Sequence, residues 1–147
     1  MATLQHARAG FSAGNAVDLS TGEAQTRLSG PGIAAFFKIG RSWQLRDESA
    51  RQLLGGVSNG TFYQLKRGHR KTLDQDKLTR ISLLVGIFKA LNVLYSPKLA
   101  DAWITLPNSN PMFKMSESET PLEYMIKGGV TALVRLRQLL DARRGGK

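Results

Sequence analysis

The sequence predicts an all-α fold, in which a helix-turn-helix bundle is followed by a small helical domain. Three features of the pattern indicate this. Apolar residues recur at helical spacing in successive segments, from Ile33 to Leu140. Side chains that cap helix N-termini stand before these segments, and glycine or proline stands after them. No segment of useful length alternates apolar and polar residues as a strand does.

Composition limits the class of protein. With 147 residues, 41% of them hydrophobic, the chain is long enough for one medium domain or two small helical ones. The sequence has no cysteine, so we expect neither a disulfide framework nor a thiolate metal site. No apolar run approaches the length of a membrane span, and residues 1–14 lack the apolar core of a signal peptide. These features predict a cytoplasmic protein with no membrane segment.

The net charge of +10 is concentrated in the middle of the chain. Residues 34–95 contain eleven Lys and Arg against four acids, a net charge of +7, whereas residues 1–33 are neutral and residues 96–147 carry +3. A basic segment of this kind is typical of a module that binds a polyanion. A DNA-binding element is therefore expected within residues 34–95.

The chain divides into three predicted regions. Residues 1–32 are rich in Ala, Gly, Ser and Thr and end in Gly30-Pro31-Gly32, which predicts a flexible N-terminal arm. Residues 33–95 predict a helix-turn-helix domain that includes a long central helix. Residues 96–147 predict a second, smaller helical domain.

Three short helices are expected at the start of the middle region. The first covers Ile33 to about Trp43. Asp47 has the side chain to cap a second helix over residues 48–54, and Gly55-Gly56 breaks it. Ser58 then caps a third helix, which ends before Gly68. This order of helix, glycine turn and helix is that of a helix-turn-helix motif.

The third helix should place Phe62 and Leu65 in the core and leave its polar side chains outside. Gln and Asn can pair with adenine, Arg can pair with guanine, and Tyr, Thr and Lys can hold phosphates. The residues expected to contact DNA are Ser58, Asn59, Thr61, Tyr63, Gln64, Lys66, Arg67, Arg70 and Lys71. His69 is expected to be a polar cap or a phosphate contact. The alternative, a solvated face of an ordinary bundle, is disfavoured by the positive charge and the turn spacing.

Asp74 is expected to cap the long helix, which extends to about Leu94. Its apolar residues form two stripes, so we expect it to be covered on two sides. One side would pack on the DNA-binding module. The other would pack on the C-terminal domain or on a second subunit.

The C-terminal region begins with Ser96-Pro97, which predicts a short helix to about Leu106. Thr120, Pro121 and Glu123 form a complete capping box for a helix that starts at Pro121. Gly128-Gly129 should stop or kink this helix after about two turns. A further helix is expected from Val130 to about Arg143.

This region resembles the toxin-binding domain of the antitoxin family called Xre/MbcA/ParS. The resemblance covers roughly Ser96 to Gly145 and rests on Trp103, Pro107-Asn108, Phe113, Pro121-Leu122-Glu123, the glycine pair and the closing residues 139–145. Residues 49–58 similarly resemble the helix-turn-helix of Xre-like regulators. In the family pattern a glycine soon follows the Phe, whereas residues 114–119 contain none.

The resemblance implies that the C-terminal end binds a cognate toxin and blocks its active site. Many toxins of such pairs are RES-domain enzymes that consume NAD, so basic side chains at this end would fit a cleft for an anionic substrate. The residues that the resemblance assigns to toxin binding are Trp103, Pro107, Asn108, Pro121, Arg135, Arg137, Arg143, Arg144 and Gly145. Trp103 is also a candidate core residue of a small bundle.

The sequence thus predicts an antitoxin that binds operator DNA as a homodimer and represses its own transcription. The two histidines support neither a catalytic triad nor a metal site, and we expect no enzyme activity and no cofactor. One alternative is a stand-alone helix-turn-helix repressor whose C-terminal domain only dimerises. Another is a basic, RNA-associated helical protein.

Overall fold

The computed structural model describes residues 17–69 and 71–145, and all regular secondary structure in these ranges is helical. The all-α prediction is therefore confirmed. None of the helices described is long and apolar enough to cross a membrane. In chain order the helices are α1 (Gly22–Ser42), α2 (Asp47–Leu53), α3 (Asn59–Lys66), α4 (Gln75–Leu94), α5 (Pro97–Ala102), a 3₁₀ helix (Trp103–Thr105), α6 (Pro111–Met115) and α7 (Pro121–Arg144).

The chain forms two compact units, Met1–Gly86 and Ile87–Lys147, and the boundary falls inside α4. In the first unit, α1, α2, α3 and the beginning of α4 contribute to one apolar core. Each large aliphatic or aromatic side chain that is fully buried in such a core contributes about 1.5–3 kcal/mol. The large buried side chains of this core include Leu28, Phe36, Ile39, Trp43, Leu53, Leu54, Phe62, Leu65, Leu73, Leu78, Ile81 and Leu84.

The start of α1 corrects the prediction that residues 1–32 form a flexible arm. The helix begins at Gly22, where Thr21 Oγ1 accepts a hydrogen bond from the Ala24 N–H at 3.1 Å. Leu28 and Ser29 are buried, and Pro31 lies inside the helix. Burial of one face of α1 outweighs the local helix-breaking tendency of Gly30-Pro31-Gly32. The local composition therefore predicted a flexible arm where the chain is helical. The rest of the predicted arm, residues 1–16, lies outside the described residues.

Ser29 also connects distant parts of the first unit. Its hydroxyl oxygen accepts a hydrogen bond of 2.7 Å from the N–H of Leu73, which is 44 residues further along the chain. The same hydroxyl donates to the carbonyl of Gln25. Because the pair is buried, this bond satisfies a backbone N–H that would otherwise be costly to remove from water.

In the first unit, two predicted caps are confirmed and one is wrong. Ser58 caps α3, and Asp74 Oδ1 accepts from the Lys77 N–H at 3.0 Å at the start of α4. Asp47 does not cap α2, because Arg46 occupies the N-cap position and Asp47 is the first helical residue. A carboxylate in the first turn still interacts favourably with the helix dipole.

The second unit contains a short helix, α6, that the sequence analysis did not predict. Asn110 caps it by accepting a hydrogen bond of 2.9 Å from the Met112 N–H, and Pro111 begins it. After α6 the chain reverses at Glu117, whose φ of 53° lies in the left-handed region. The N–H of Ser118 donates to Phe113 O at 2.8 Å, which closes the turn. Glu117 thus occupies a conformation usually taken by glycine, in the segment where the family pattern has one.

The capping box of α7 and its interruption are both confirmed. Thr120 Oγ1 accepts from the Glu123 N–H at 3.2 Å, and Glu123 Oε1 accepts from the Thr120 N–H at 3.0 Å. Gly129 has φ 61° and ψ −145°, so α7 consists of two helical segments joined at a kink. The core of this unit includes Ile87, Leu91, Ala100, Trp103, Ile104, Phe113, Tyr124, Met125, Leu133, Leu136 and Leu140.

Replacing Gly129 by alanine should destabilise the protein by about 1–3 kcal/mol, because that backbone conformation is open almost only to glycine. The matched control is Gly40→Ala in α1, where an added Cβ would meet no atom within 4 Å. That change should stabilise by about 0.5–1 kcal/mol, since glycine inside a helix is costly. Denaturant unfolding measures both. A neutral Gly129→Ala variant would contradict the kink.

The pKa of Glu123 is lowered by hydrogen bonds from the Thr120 and Glu119 N–H groups. Stability from the charged carboxylate is therefore fully present above about pH 4.5 and is lost as pH falls through the lower pKa of the folded state. Glu123→Gln keeps an acceptor but cannot titrate, so its melting temperature should fall less between neutral pH and about pH 3. Thermal unfolding followed by circular dichroism tests this. Glu119→Gln is the control and should behave like the parent; identical curves for all three would refute the expectation.

Candidate functional site

The position of α3 is fixed by two apolar side chains. Phe62 and Leu65 are buried, as predicted, and the Phe62 ring lies 5.5 Å from that of Phe37 in α1. Phe37 in turn contacts Phe36 edge to face at 5.2 Å. Since one side of this eight-residue helix is packed in this way, its other side faces outward.

The turn before α3 is held by backbone geometry and by Arg51. Gly55 and Gly56 have φ values of 100° and 75°, so both glycines predicted to open the turn adopt left-handed conformations. Arg51 donates from Nη1 to Val57 O at 2.7 Å and from Nη2 to Glu48 at 2.7 Å. Hydrogen bonds from Arg51 and Gln52 lower the pKa of Glu48. Arg51 therefore supports the turn, a role that the sequence analysis did not identify.

Two of the predicted DNA contacts also maintain the start of α3. The Thr61 N–H donates to Ser58 Oγ at 3.2 Å, and the Ser58 hydroxyl donates to Thr61 Oγ1 at 3.0 Å. Ser58 is exposed and Thr61 is half-buried. Both side chains thus form hydrogen bonds within the first turn of α3 and stabilise the start of the helix.

The outward side of α3 carries the polar side chains expected to read DNA. Asn59, Gln64 and Arg67 are exposed, and the described residues provide no side-chain partner for any of them. Tyr63 is 42% exposed and its ring touches that of Phe62 at 5.6 Å. Amide and guanidinium groups that face solvent in this way are available for base edges in a major groove.

The remaining predicted DNA contacts differ in their surroundings. Lys66 Nζ lies 2.7 Å from Asp47 Oδ1, and both side chains are partly exposed. Its charge is therefore shared with a carboxylate, which sequence analysis did not foresee because the two residues are 19 positions apart. Lys71 is exposed. Arg70 lies outside the described residues.

A cavity of about 320 Å³ opens between α1 and the end of α3. Its apolar side includes Phe37 and Leu65, and its basic side chains are Arg41, Lys66 and His69. Arg41 was not among the predicted site residues. No sequence signal connects Arg41 with Lys66, since only the packing of α1 on α3 brings them to one cavity.

The second unit contains the residues assigned to toxin binding by resemblance. Trp103 and Pro121 are buried, so their side chains belong to the core of this unit. Pro107 is exposed. Asn108 is half-buried, and its Oδ1 accepts from the Asn110 N–H while its own N–H donates to Glu119 O. These two residues shape the loop before α6.

The basic residues near the chain end fall into two groups. Arg137 and Arg144 both approach Asp141, at 3.4 Å and 4.0 Å. Arg135 and Arg143 are exposed and have no ion-pair partner among the described residues, and Gly145 is exposed at the helix end. Arg135 and Arg143 are thus the better candidates for contacting an anionic partner.

No group of three potential metal-ligating side chains occurs in the ranges 17–69 and 71–145. The geometry of the first unit, with a buried face, a supported turn and an exposed polar helix, is that of a helix-turn-helix DNA-binding module.

Comparison with known proteins agrees with this geometry. Residues 22–86 match the family model described as the antitoxin Xre-like helix-turn-helix domain. This match begins at the first residue of α1 and ends at the boundary of the first unit. Uncharacterized protein y4oB of Sinorhizobium fredii is 36% identical to this chain over 115 residues, which are 78% of this chain and 84% of that protein. No solved structure matches the chain.

Ser58→Ala should lower the free energy of unfolding by about 1 kcal/mol, because the Thr61 N–H loses its acceptor. Ser96→Ala is the matched control, since Ser96 is the N-cap of α5 but makes no side-chain capping bond. We expect the control to change stability by less than about 0.5 kcal/mol. Urea unfolding of both variants measures the difference. Equal effects would mean that the Ser58 cap does not stabilise α3.

Proposed function

We propose that this chain, which belongs to the family of antitoxins with an Xre-like helix-turn-helix domain, is the antitoxin of a type II toxin-antitoxin system. The first unit binds operator DNA and represses transcription of its own operon. The second unit binds the cognate toxin. The observation that carries this proposal is the exposed side of α3, where Asn59, Gln64 and Arg67 face outward from a helix whose other side is buried.

The chemistry of the first unit supports binding to a duplex. Asn and Gln amides match the donor and acceptor pattern of adenine, and the Arg guanidinium matches guanine, in the major groove. The net charge of +7 over residues 34–95 supplies the favourable interaction with phosphates. A homodimer would place two α3 helices about 34 Å apart, on one face of the DNA, and would read a palindromic operator.

The exposed surface of the second unit supports a protein partner. Among the described residues, four of the five exposed large apolar side chains lie in this unit, namely Val93, Leu99, Leu106 and Met115. Met115 is 88% exposed. A contiguous patch of such side chains would be typical of a surface that another protein covers. The same unit carries Arg135 and Arg143 for electrostatic contacts.

The proposed toxin is a RES-domain enzyme that consumes NAD, as the resemblance implies. NAD carries a pyrophosphate, so its binding cleft must offer positive or polar groups to an anion. An arginine side chain cannot imitate that anion, but it can pair with any carboxylate of the cleft and can thereby obstruct it. In this proposal the end of α7, with Arg143 in its last turn, neutralises the toxin by occlusion.

Two single substitutions in the full chain test whether the first unit binds DNA and the second unit neutralises the toxin. Arg67→Ala should weaken binding to a duplex from upstream of its own gene by about 1–3 kcal/mol and leave toxin neutralisation intact. Arg143→Ala should leave DNA binding unchanged and weaken neutralisation. DNA affinity is measured by fluorescence anisotropy. Neutralisation is measured by growth and cellular NAD when the neighbouring reading frame is co-expressed.

Two outcomes would count against the proposal. Equal loss of DNA binding in both variants would mean that the two units do not divide the functions as described. Absence of toxicity from every neighbouring reading frame would favour a stand-alone repressor whose second unit only dimerises.

A further inference from the structure

We propose that the cavity beside the end of α3 binds one sugar-phosphate unit of the DNA backbone, and that Arg41 is its principal phosphate contact. The inference rests on the proposed DNA-binding function and adds a site outside α3. It assigns a role to a residue of α1 that neither the sequence pattern nor the exposed side of α3 indicates.

Three basic residues line this cavity, from two parts of the chain. Arg41 comes from the last turn of α1, Lys66 from the end of α3, and His69 from the loop that follows. All three are exposed at the surface. The described residues provide no side-chain partner for Arg41 or His69. Guanidinium, ammonium and imidazole groups together offer several N–H donors, which is what the oxygens of a phosphodiester require.

The apolar residues of the cavity indicate a ligand that has apolar groups as well as an anionic group. Ile33, Phe37 and Leu65 also line the cavity. A free phosphate would use only the N–H donors, whereas a nucleotide of the backbone also presents the CH groups of its deoxyribose. The combination of apolar and basic lining residues therefore fits a sugar-phosphate unit.

Lys66 connects the cavity with the helix that reads the bases. It lines the cavity and is also adjacent in sequence to Arg67, the C-cap residue of α3. Phosphate contacts beside a base-reading helix fix its register on the duplex but do not carry sequence information. Loss of the site should therefore weaken binding to any duplex and leave the preference between sequences largely unchanged.

Asp47 modulates the site because its carboxylate pairs with Lys66 at 2.7 Å. A phosphate that approaches Lys66 must compete with this carboxylate and is repelled by it. The pair is partly exposed, so its interaction is weak enough to exchange. Asp47→Asn should therefore increase affinity for DNA, and this gain should disappear when Lys66 is also replaced by alanine.

The test compares Arg41→Ala with Lys38→Ala in the full chain. Lys38 is an exposed cation of the same helix that does not line the cavity, so both changes remove one charge from α1. Binding is measured by fluorescence anisotropy over a range of salt concentrations, with the upstream duplex and with a scrambled duplex of equal length. Thermal unfolding checks that each variant is folded.

For Arg41→Ala we expect both duplexes to bind on the order of tenfold more weakly. The slope of log affinity against log salt should fall by about 0.9, the value for one lost phosphate contact. His69→Ala should change affinity in the same direction. Lys38→Ala should leave the slope unchanged, and Arg41→Lys should retain most of the affinity.

Several results would overturn the site. If Arg41→Ala and Lys38→Ala have equal effects, the contribution of Arg41 is only long-range electrostatics. If Arg67→Ala weakens binding and Arg41→Ala does not, the cavity proposal fails while the proposed function stands. If neither variant alters binding, the proposed function itself fails. Arg41-dependent stabilisation by inorganic phosphate alone, equal to that by duplex, would make the cavity a site for a free anion.

Discussion

The packing of Phe62 against Phe37 of α1, together with the burial of Leu65, is the interaction on which the functional face of the first unit depends. A helix of eight residues is too short to be stable in water by itself, so its existence and its orientation come from tertiary contacts. The Phe62 ring, 5.5 Å from Phe37 and almost completely buried, fixes which side of α3 faces inward. The exposure of Asn59, Gln64 and Arg67 is a direct consequence of that contact.

The charged residues of the first unit fall into two groups. Some form contacts that stabilise the fold, and the others remain available for DNA phosphates. Arg51 is committed to the turn through Val57 O and Glu48, and Lys66 shares its charge with Asp47. Arg41 and Arg67 are exposed and have no side-chain partner among the described residues. A net positive charge is therefore only a first guide to DNA contacts, because intramolecular pairs reduce the number of cations that phosphates can reach.

The second unit shows the same separation between framework and surface. Trp103 stacks near Tyr95 at 6.4 Å, and Phe113 meets Tyr124 edge to face at 5.2 Å, so the aromatic residues of this unit build its core. The motif residues that carried the family resemblance include such framework positions, which explains why Trp103 is buried although the resemblance assigned it to toxin binding. A family motif therefore includes residues needed for the fold as well as residues needed to contact a partner protein.

Features that depend on neighbours a few residues away could be predicted from the sequence. The caps of α3, α4 and α7, the Gly55-Gly56 turn and the kink at Gly129 all follow from short-range hydrogen bonding and backbone sterics. Asn110-Pro111 is a local signal of the same kind for α6. Three other features required the three-dimensional structure: the residue at which α1 begins, the cation that pairs with Asp47, and the residues that share the cavity with Arg41. These features depend on burial and on contacts between residues far apart in the chain, such as Ser29 and Leu73, and no local pattern encodes them.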